Sequence, residues 1–205
     1  MNWFVNYQQR KILVLISLIF GVVVLILLGL LISKFYGRIT FEREWLTERL
    51  KDELKDKSQA EFATILDQRS TSFQLKTIFL VLVSIAISSL LISVFLSSLA
   101  LYGLFSNRFN GNKIIRYNVW FVLIAFVMIF FIVALQPIEL TIARTVNISG
   151  RNVNITQSSD RINYSLAWAS MFISFAIMII LINSRLKYGF LSKDIILKRK
   201  FKPIA

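Results

Sequence analysis

Side chains that could perform catalysis are scarce in this sequence, and the missing types narrow its possible functions. The chain contains no cysteine and no histidine, which excludes thiolate nucleophiles, thiolate metal sites and acid–base catalysis by imidazole. Most of the 11 acidic residues lie between positions 42 and 67, interleaved with lysine and arginine. That pattern is typical of a solvated helix rather than of a general acid–base pair. We therefore predict no catalytic residue, no metal ligand, no cofactor and no enzymatic activity.

Serines at regular spacing are the most distinctive polar residues in the apolar part of the chain. Ser89, Ser93 and Ser97 recur at every fourth position, and Ser84 and Ser88 form a second pair at that spacing. Residues four apart lie on one face of a helix. Small residues on such a face allow two helix backbones to approach closely, and their hydroxyls can bond across the contact. We predict a helix-packing face, and the alternative is a pore lined by hydroxyls.

A similar strip of small residues lies near the end of the chain, in Ala167, Ser170 and Ser174. Because both strips have helical spacing, we expect the helices that carry them to pack closely together. The contact could lie in the core of one bundle or between subunits.

Long charge-free stretches must position these residues. Hydrophobic residues make up 56% of the chain, and the mean hydropathy is +0.66. A helix that crosses a hydrocarbon core needs about 20 apolar residues, and the charge-free stretches are long enough to do so. We predict an all-α integral membrane protein, a single domain over residues 1–205. Its transmembrane helices are expected at about residues 12–33, 79–102, 117–136 and 164–184.

The two longer connections differ in texture. Residues 34–76 are predicted to form a helical hairpin, because apolar residues recur at helical spacing among charges, and Ser58 with Glu61 fits a capping box. Residues 139–163 are predicted to form an extracytosolic loop, in which Thr141 to Ser149 and Val153 to Thr156 alternate apolar and polar side chains and predict a short β-hairpin. Asn147 and Asn154 in that segment begin N-x-Ser/Thr triplets and are possible glycosylation sites.

Basic residues next to the apolar stretches set the expected orientation. Lysine and arginine outnumber aspartate and glutamate by 24 to 11, and they lie where anionic lipid headgroups would be, which favours a membrane over a nucleic acid as partner. We predict cytosolic N- and C-termini, with residues 185–205 forming a basic cytosolic tail. The predicted headgroup contacts are Arg10, Lys11, Arg108, Lys113, Arg116, Arg185 and Lys187.

These features favour a role in assembly. Spans without an ionisable side chain argue against transport chemistry, which usually needs such groups in the membrane. The leading hypothesis is a non-enzymatic structural or accessory subunit of a larger membrane complex, acting through helix packing and an extracytosolic helical hairpin. The alternative is an oligomeric channel or transport component lined by the serine face of the second helix. A sensor that binds a ligand through the hairpin is a third possibility.

Overall fold

The computed structural model describes residues 7–50, 58–106, 112–136, 141–148, 151–158 and 164–184. These residues form helices and a pair of strands in the order α1 (Tyr7–Arg49), α2 (Gln59–Arg69), α3 (Thr71–Phe105), α4 (Asn112–Ala134), β1 (Thr141–Ile148), β2 (Arg151–Ser158) and α5 (Ser165–Asn183). Helices α1, α3, α4 and α5 are long and apolar enough to cross a membrane. The chain is an integral, multi-pass membrane protein.

The four membrane helices pack as a ring. Helix α1 contacts α3 and α5, and α4 contacts the same two helices from the other side. Helices α3 and α5 are therefore diagonal neighbours. The two helices with small-residue strips are therefore not adjacent within one chain, and the expected packing of one strip against the other does not occur inside the bundle. A contact of these strips between subunits stays a prediction.

Buried positions on each membrane helix alternate between spacings of three and four residues. On α4 they include Ile115, Asn118, Val122, Ala125 and Ile129, all fully shielded from solvent. This spacing keeps one narrow stripe facing the neighbouring helices and gives the left-handed packing usual in four-helix bundles. Each helix therefore buries a single stripe and leaves the rest of its surface for lipid.

Helix α1 continues well beyond its apolar stretch. It has 43 residues and extends about 24 Å past Ser33 at 1.5 Å per residue. Near its end Leu46 and Leu50 form a small core with Leu66 of α2. We call residues 34–50 and 58–69 the helical arm.

A capping box starts α2, as the sequence predicted. The Ser58 hydroxyl accepts a hydrogen bond from the Glu61 N–H at 3.4 Å, and the Glu61 carboxylate accepts one from the Ser58 N–H at 3.2 Å. These reciprocal bonds satisfy two backbone donors and define where the helix begins.

One glycine permits a close approach between α1 and α3. A Cβ atom added to Gly21 would lie 2.9 Å from Cγ2 of Val94, whereas one added to Gly29 would have no neighbour within 4 Å. Because Gly21 has no Cβ atom, α1 and α3 can approach closely at this position. Gly29 faces open space.

Strands β1 and β2 pair antiparallel, with Thr141 opposite Ser158 and Ile148 opposite Arg151. Asn147 lies on β1 and Asn154 lies on β2. The predicted headgroup contacts Arg108, Arg185 and Lys187, together with the basic tail, lie outside the described residues.

Candidate functional site

The most elaborate polar arrangement lies where the helical arm meets the bundle. Glu42 of α1 is only 5% exposed. Its two carboxylate oxygens accept hydrogen bonds from the backbone N–H groups of Thr71 and Ser72, each at 2.9 Å. The first N–H groups of a helix lack partners within the helix, and the helix dipole favours a negative charge beside them. Glu42 thus caps the N-terminus of α3 from a different helix.

Ser70 joins α2 to α3 without an intervening loop. Its backbone N–H donates to the Leu66 carbonyl at 2.9 Å and closes the last turn of α2. Its hydroxyl accepts from the Phe73 N–H at 3.1 Å and caps the first turn of α3. Because one fully buried residue satisfies both helix ends, little slack remains between the arm and the bundle.

Arg38 of α1 bonds to α3 and acts electrostatically on the first residue before α5. Its Nε donates to the Ser72 hydroxyl at 3.1 Å, and its side chain is buried. Tyr164 is the buried N-cap residue of α5 and precedes the membrane-spanning stretch that begins at Ser165. Burial raises the pKa of the Tyr164 phenol to about 12, and the positive charge of Arg38 partly opposes that rise. We call Arg38, Glu42, Ser70, Ser72 and Tyr164 the Glu42 junction.

Half-buried charges at the edge of the Glu42 junction connect α1 to α2 and α3. Arg43 forms an ion pair with Asp67 of α2, and its guanidinium lies 5.1 Å from the centre of the Phe73 ring. The Lys76 ammonium lies 5.5 Å from the centre of the Tyr36 ring. Exposed ion pairs contribute little individually, so these contacts supplement the buried hydrogen bonds.

The opposite end of the bundle contains a simpler cap. Arg10 of α1 is 2% exposed, and its Nε donates to the carbonyl oxygen of Ser184 at 2.8 Å. Ser184 is the C-cap of α5, where the helix dipole favours a positive charge. The prediction that Arg10 contacts lipid headgroups is wrong, because its side chain is buried against α5. We call this contact the Arg10 cap.

The other predicted headgroup contacts within the described residues are accessible in part. The Lys11 ammonium lies 4.6 Å from the centre of the Phe105 ring at the end of α3. Lys113 and Arg116 are exposed on the first turns of α4. These positions remain compatible with headgroup contact.

The serine face of α3 divides between two surfaces. Ser89, Ser93 and Ser97 are buried in the bundle, and Ser97 accepts a hydrogen bond from Nδ2 of Asn118 on α4 at 2.7 Å. Ser84 and Ser88 are exposed. Ser89, Ser93 and Ser97 therefore pack inside the bundle, whereas Ser84 and Ser88 lie on its outer surface.

The strip on α5 is buried throughout. Ala167, Ser170 and Ser174 are shielded completely, and the Ser170 hydroxyl donates to the Leu166 carbonyl of its own helix at 2.7 Å. The strip therefore allows close packing, and at Ser170 the hydroxyl is satisfied without a neighbouring helix.

Sequence reasoning missed Arg38, Glu42 and Asn118 as structural residues. Glu42 looked like one more acid in a charged loop, and Asn118 was a lone amide in an apolar stretch. Helical spacing is the signal that could have identified them. Arg10, Arg38 and Glu42 lie at positions that continue the buried stripe of α1, and Asn118 lies within the buried stripe of α4.

No metal centre is evident in the parts of the chain that the structure describes, since no three acidic residues there group closely enough to hold an ion. An open groove of about 440 Å³ on α2 is lined by Ala60, Glu61, Thr64 and Ile65. Comparison with known proteins gives no match to a family model, to a curated protein or to a solved structure.

Proposed function

We propose that the protein is a non-enzymatic structural or accessory subunit of a larger membrane protein complex. The observation that carries this proposal is the Glu42 junction. The Glu42 carboxylate accepts two hydrogen bonds from backbone N–H groups of α3, one buried and one partly buried, and these bonds hold the helical arm in a defined position on the bundle. A rigid projecting arm is suited to positioning a partner, because little conformational entropy is lost when the partner binds.

The arm offers a surface rather than an unfinished core. Its apolar residues Leu46, Leu50 and Leu66 are already buried against one another. What remains outside is the groove beside Glu61 and Thr64 together with charged helix faces. A mixed polar surface of this kind fits an extracytosolic protein domain of a partner subunit.

The bundle interior favours assembly over conduction. Ser89, Ser93 and Ser97 are covered by the helices of the same chain. An oligomeric pore lined by the serine face would have to expose these hydroxyls to a shared axis. The exposed pair Ser84 and Ser88 forms too short a polar strip to line a path across a bilayer about 30 Å thick.

The proposed topology has cytosolic termini and an extracytosolic arm. The basic residues of the segment between α3 and α4 and of the C-terminal segment support it through the positive-inside tendency. In this orientation the β1–β2 segment is extracytosolic, so Asn147 and Asn154 are accessible to glycosylation in a host that has that pathway. Anionic headgroups of the cytosolic leaflet are the expected lipid partners.

The mass of the native protein tests the proposal. Extraction in a mild detergent followed by native mass spectrometry is expected to recover the chain together with at least one different polypeptide. Recovery of the chain alone, or of a homo-oligomer that conducts ions in a planar bilayer, would contradict the accessory-subunit role.

Site-specific cross-linking tests the arm itself. Because the chain has no cysteine, a single introduced thiol is unique. A photo-cross-linker attached at Thr64→Cys in the groove should capture the partner found by mass spectrometry. The matched control is Leu91→Cys, whose native side chain is exposed on the membrane surface of α3. Equal capture of that partner at both positions would exclude the arm as the docking element.

A further inference from the structure

The outward face of α4 carries an ordered set of basic and aromatic side chains. Lys113, Arg116, Tyr117 and Trp120 are all exposed, with Tyr117 at 62% and Trp120 at 58%. At about 100° per residue, these four positions fall within an arc of about 100° opposite the buried residue Asn118. They therefore form one continuous patch over the first turns of the helix.

Within this patch the side chains are sorted by depth. The two bases precede the two aromatic residues, and each base has an aromatic residue four positions later on the same face: Tyr117 after Lys113, and Trp120 after Arg116. The exposed apolar residues Ile124 and Phe131 continue along that arc. Charge, aromatic ring and aliphatic surface thus follow one another along the helix axis.

This order matches a phospholipid in one leaflet. Lysine and arginine bind phosphate oxygens, tyrosine and tryptophan favour the headgroup–hydrocarbon boundary, and aliphatic side chains contact acyl tails. One leaflet of hydrocarbon is about 15 Å deep, which corresponds to about ten helical residues. From Tyr117 that distance ends near Val127, which is also exposed.

Charge selects the class of lipid. The first turn of α4 contains no acid, and residues 107–116 contain three bases and no acid. The N-terminus of a helix adds positive potential at the same level. We infer that this face of α4 is a binding site for one anionic phospholipid, recognised by Lys113 and Arg116. The site is independent of the proposed assembly role and could exist in a chain that has no protein partner.

Binding of phosphatidylglycerol and of phosphatidylcholine with identical acyl chains tests the inference, using native mass spectrometry of the detergent-purified protein. The wild type is expected to retain phosphatidylglycerol preferentially. The variant Lys113→Gln/Arg116→Gln should lose about 30-fold in affinity for it, since each base near an anionic lipid contributes roughly a factor of five. Affinity for phosphatidylcholine should change little.

The matched control removes the same charge elsewhere. Lys34→Gln/Arg49→Gln alters two exposed bases on the helical arm and should leave the preference unchanged. The charge-preserving swap Lys113→Arg/Arg116→Lys should retain binding, which separates loss of charge from misfolding. An unchanged preference in the glutamine variant, or an equal loss in the control, would overturn the inference.

A soluble competitor separates a lipid site from a phosphate site. Glycerol phosphate offers the same headgroup chemistry without acyl tails, so millimolar concentrations should not displace phosphatidylglycerol. Displacement would show that the patch recognises free phosphate esters, and the assignment to a lipid would then be wrong.

Discussion

At each end of the bundle, a charged side chain of α1 hydrogen-bonds to backbone groups at the end of another helix. The two ends differ in the sign of that charge and in the number of backbone groups bonded. At the Glu42 junction, a carboxylate of α1 accepts hydrogen bonds from two backbone N–H groups at the start of α3. At the Arg10 cap, a guanidinium from the same helix donates to one carbonyl at the end of α5. Each sign matches the local end of the helix dipole. Helix α1 therefore supplies the side chain that caps α3 at one end of the bundle and the side chain that caps α5 at the other.

The difference between the ends lies in what each contact connects. Besides the α3 cap, the Glu42 junction includes Ser70, which ends α2 and starts α3, and Arg38, which bonds to Ser72 and influences Tyr164 at the start of α5. The Arg10 cap connects α1 to the last turn of α5. A buried polar group without its partner costs free energy, so the end with more interdependent partners should be more sensitive to substitution.

The largest expected effect is that of Glu42→Ala. Removing the carboxylate leaves the N–H groups of Thr71 and Ser72 without their acceptor, and hydrogen bonds to charged groups are worth about 1.5–3 kcal/mol each. We expect the free energy of unfolding to fall by about 3 kcal/mol, measured by titration with sodium dodecyl sulfate in mixed micelles. Amide hydrogen exchange should accelerate at the first turn of α3.

Two further variants sharpen that result. Glu42→Gln keeps one oxygen acceptor and should lose roughly half as much stability. Glu44→Gln alters an exposed acid two residues away and should cost under about 0.5 kcal/mol. A loss at Glu44 as large as that at Glu42 would mean that general charge, rather than the cap, stabilises this end.

Arg10→Met tests the other end. The substitution removes one charged hydrogen bond to the Ser184 carbonyl, while the apolar stem is partly preserved. We expect a loss of about 2 kcal/mol and faster exchange confined to the last turn of α5, with the start of α3 unaffected. If Arg10→Met destabilises the protein more than Glu42→Ala, the proposed asymmetry between the ends is wrong.

Gly21→Ala probes the packing between the two ends. The added methyl would lie 2.9 Å from Val94 Cγ2, and valine has little rotational freedom to move away. We expect a loss of about 1 kcal/mol. Gly29→Ala is the matched control, because its methyl meets no atom within 4 Å, and it should be neutral or slightly stabilising through helix propensity. Equal effects of the two substitutions would contradict the close approach of α1 and α3.

The smallest effect is expected for the ion pair between Arg43 and Asp67. A double-mutant cycle with Arg43→Gln and Asp67→Asn should give a coupling energy below about 1 kcal/mol, because both groups are partly exposed and screened by salt. High salt should reduce it further. A coupling energy comparable to the Glu42→Ala loss would mean that this ion pair stabilises the junction as much as the hydrogen bonds of Glu42 do.

Sequence reasoning was most successful where a physical requirement acts on a long segment. Four apolar helices follow from charge-free stretches long enough to cross a bilayer, and the capping box at Ser58 and Glu61 follows from a local pattern. It was least successful with single polar residues. Arg10 was interpreted as a lipid contact, although it is buried, and Ser84 was grouped with Ser89, although it is exposed.

These errors arose because the residue types on a helix face do not identify the element that packs against that face. Ser84 and Ser89 belong to the same apolar helix, but the buried stripe of α3 includes only the second. The pairing of α3 and α5 is absent within one chain for the same reason, because small-residue strips indicate close packing without naming the partner.

The amino-acid sequence by itself determined that the described part of this chain has four helices long and apolar enough to cross a membrane, because exposing that much apolar length to water is unfavourable and each helix satisfies its own backbone hydrogen bonds. Only the tertiary structure decided the order of the helices around the bundle and the roles of Arg10, Glu42 and Asn118. Those roles depend on which helix ends and which polar atoms meet in space. Glu42 and Arg10 act as caps because backbone groups at the ends of other helices lie within about 3 Å of them.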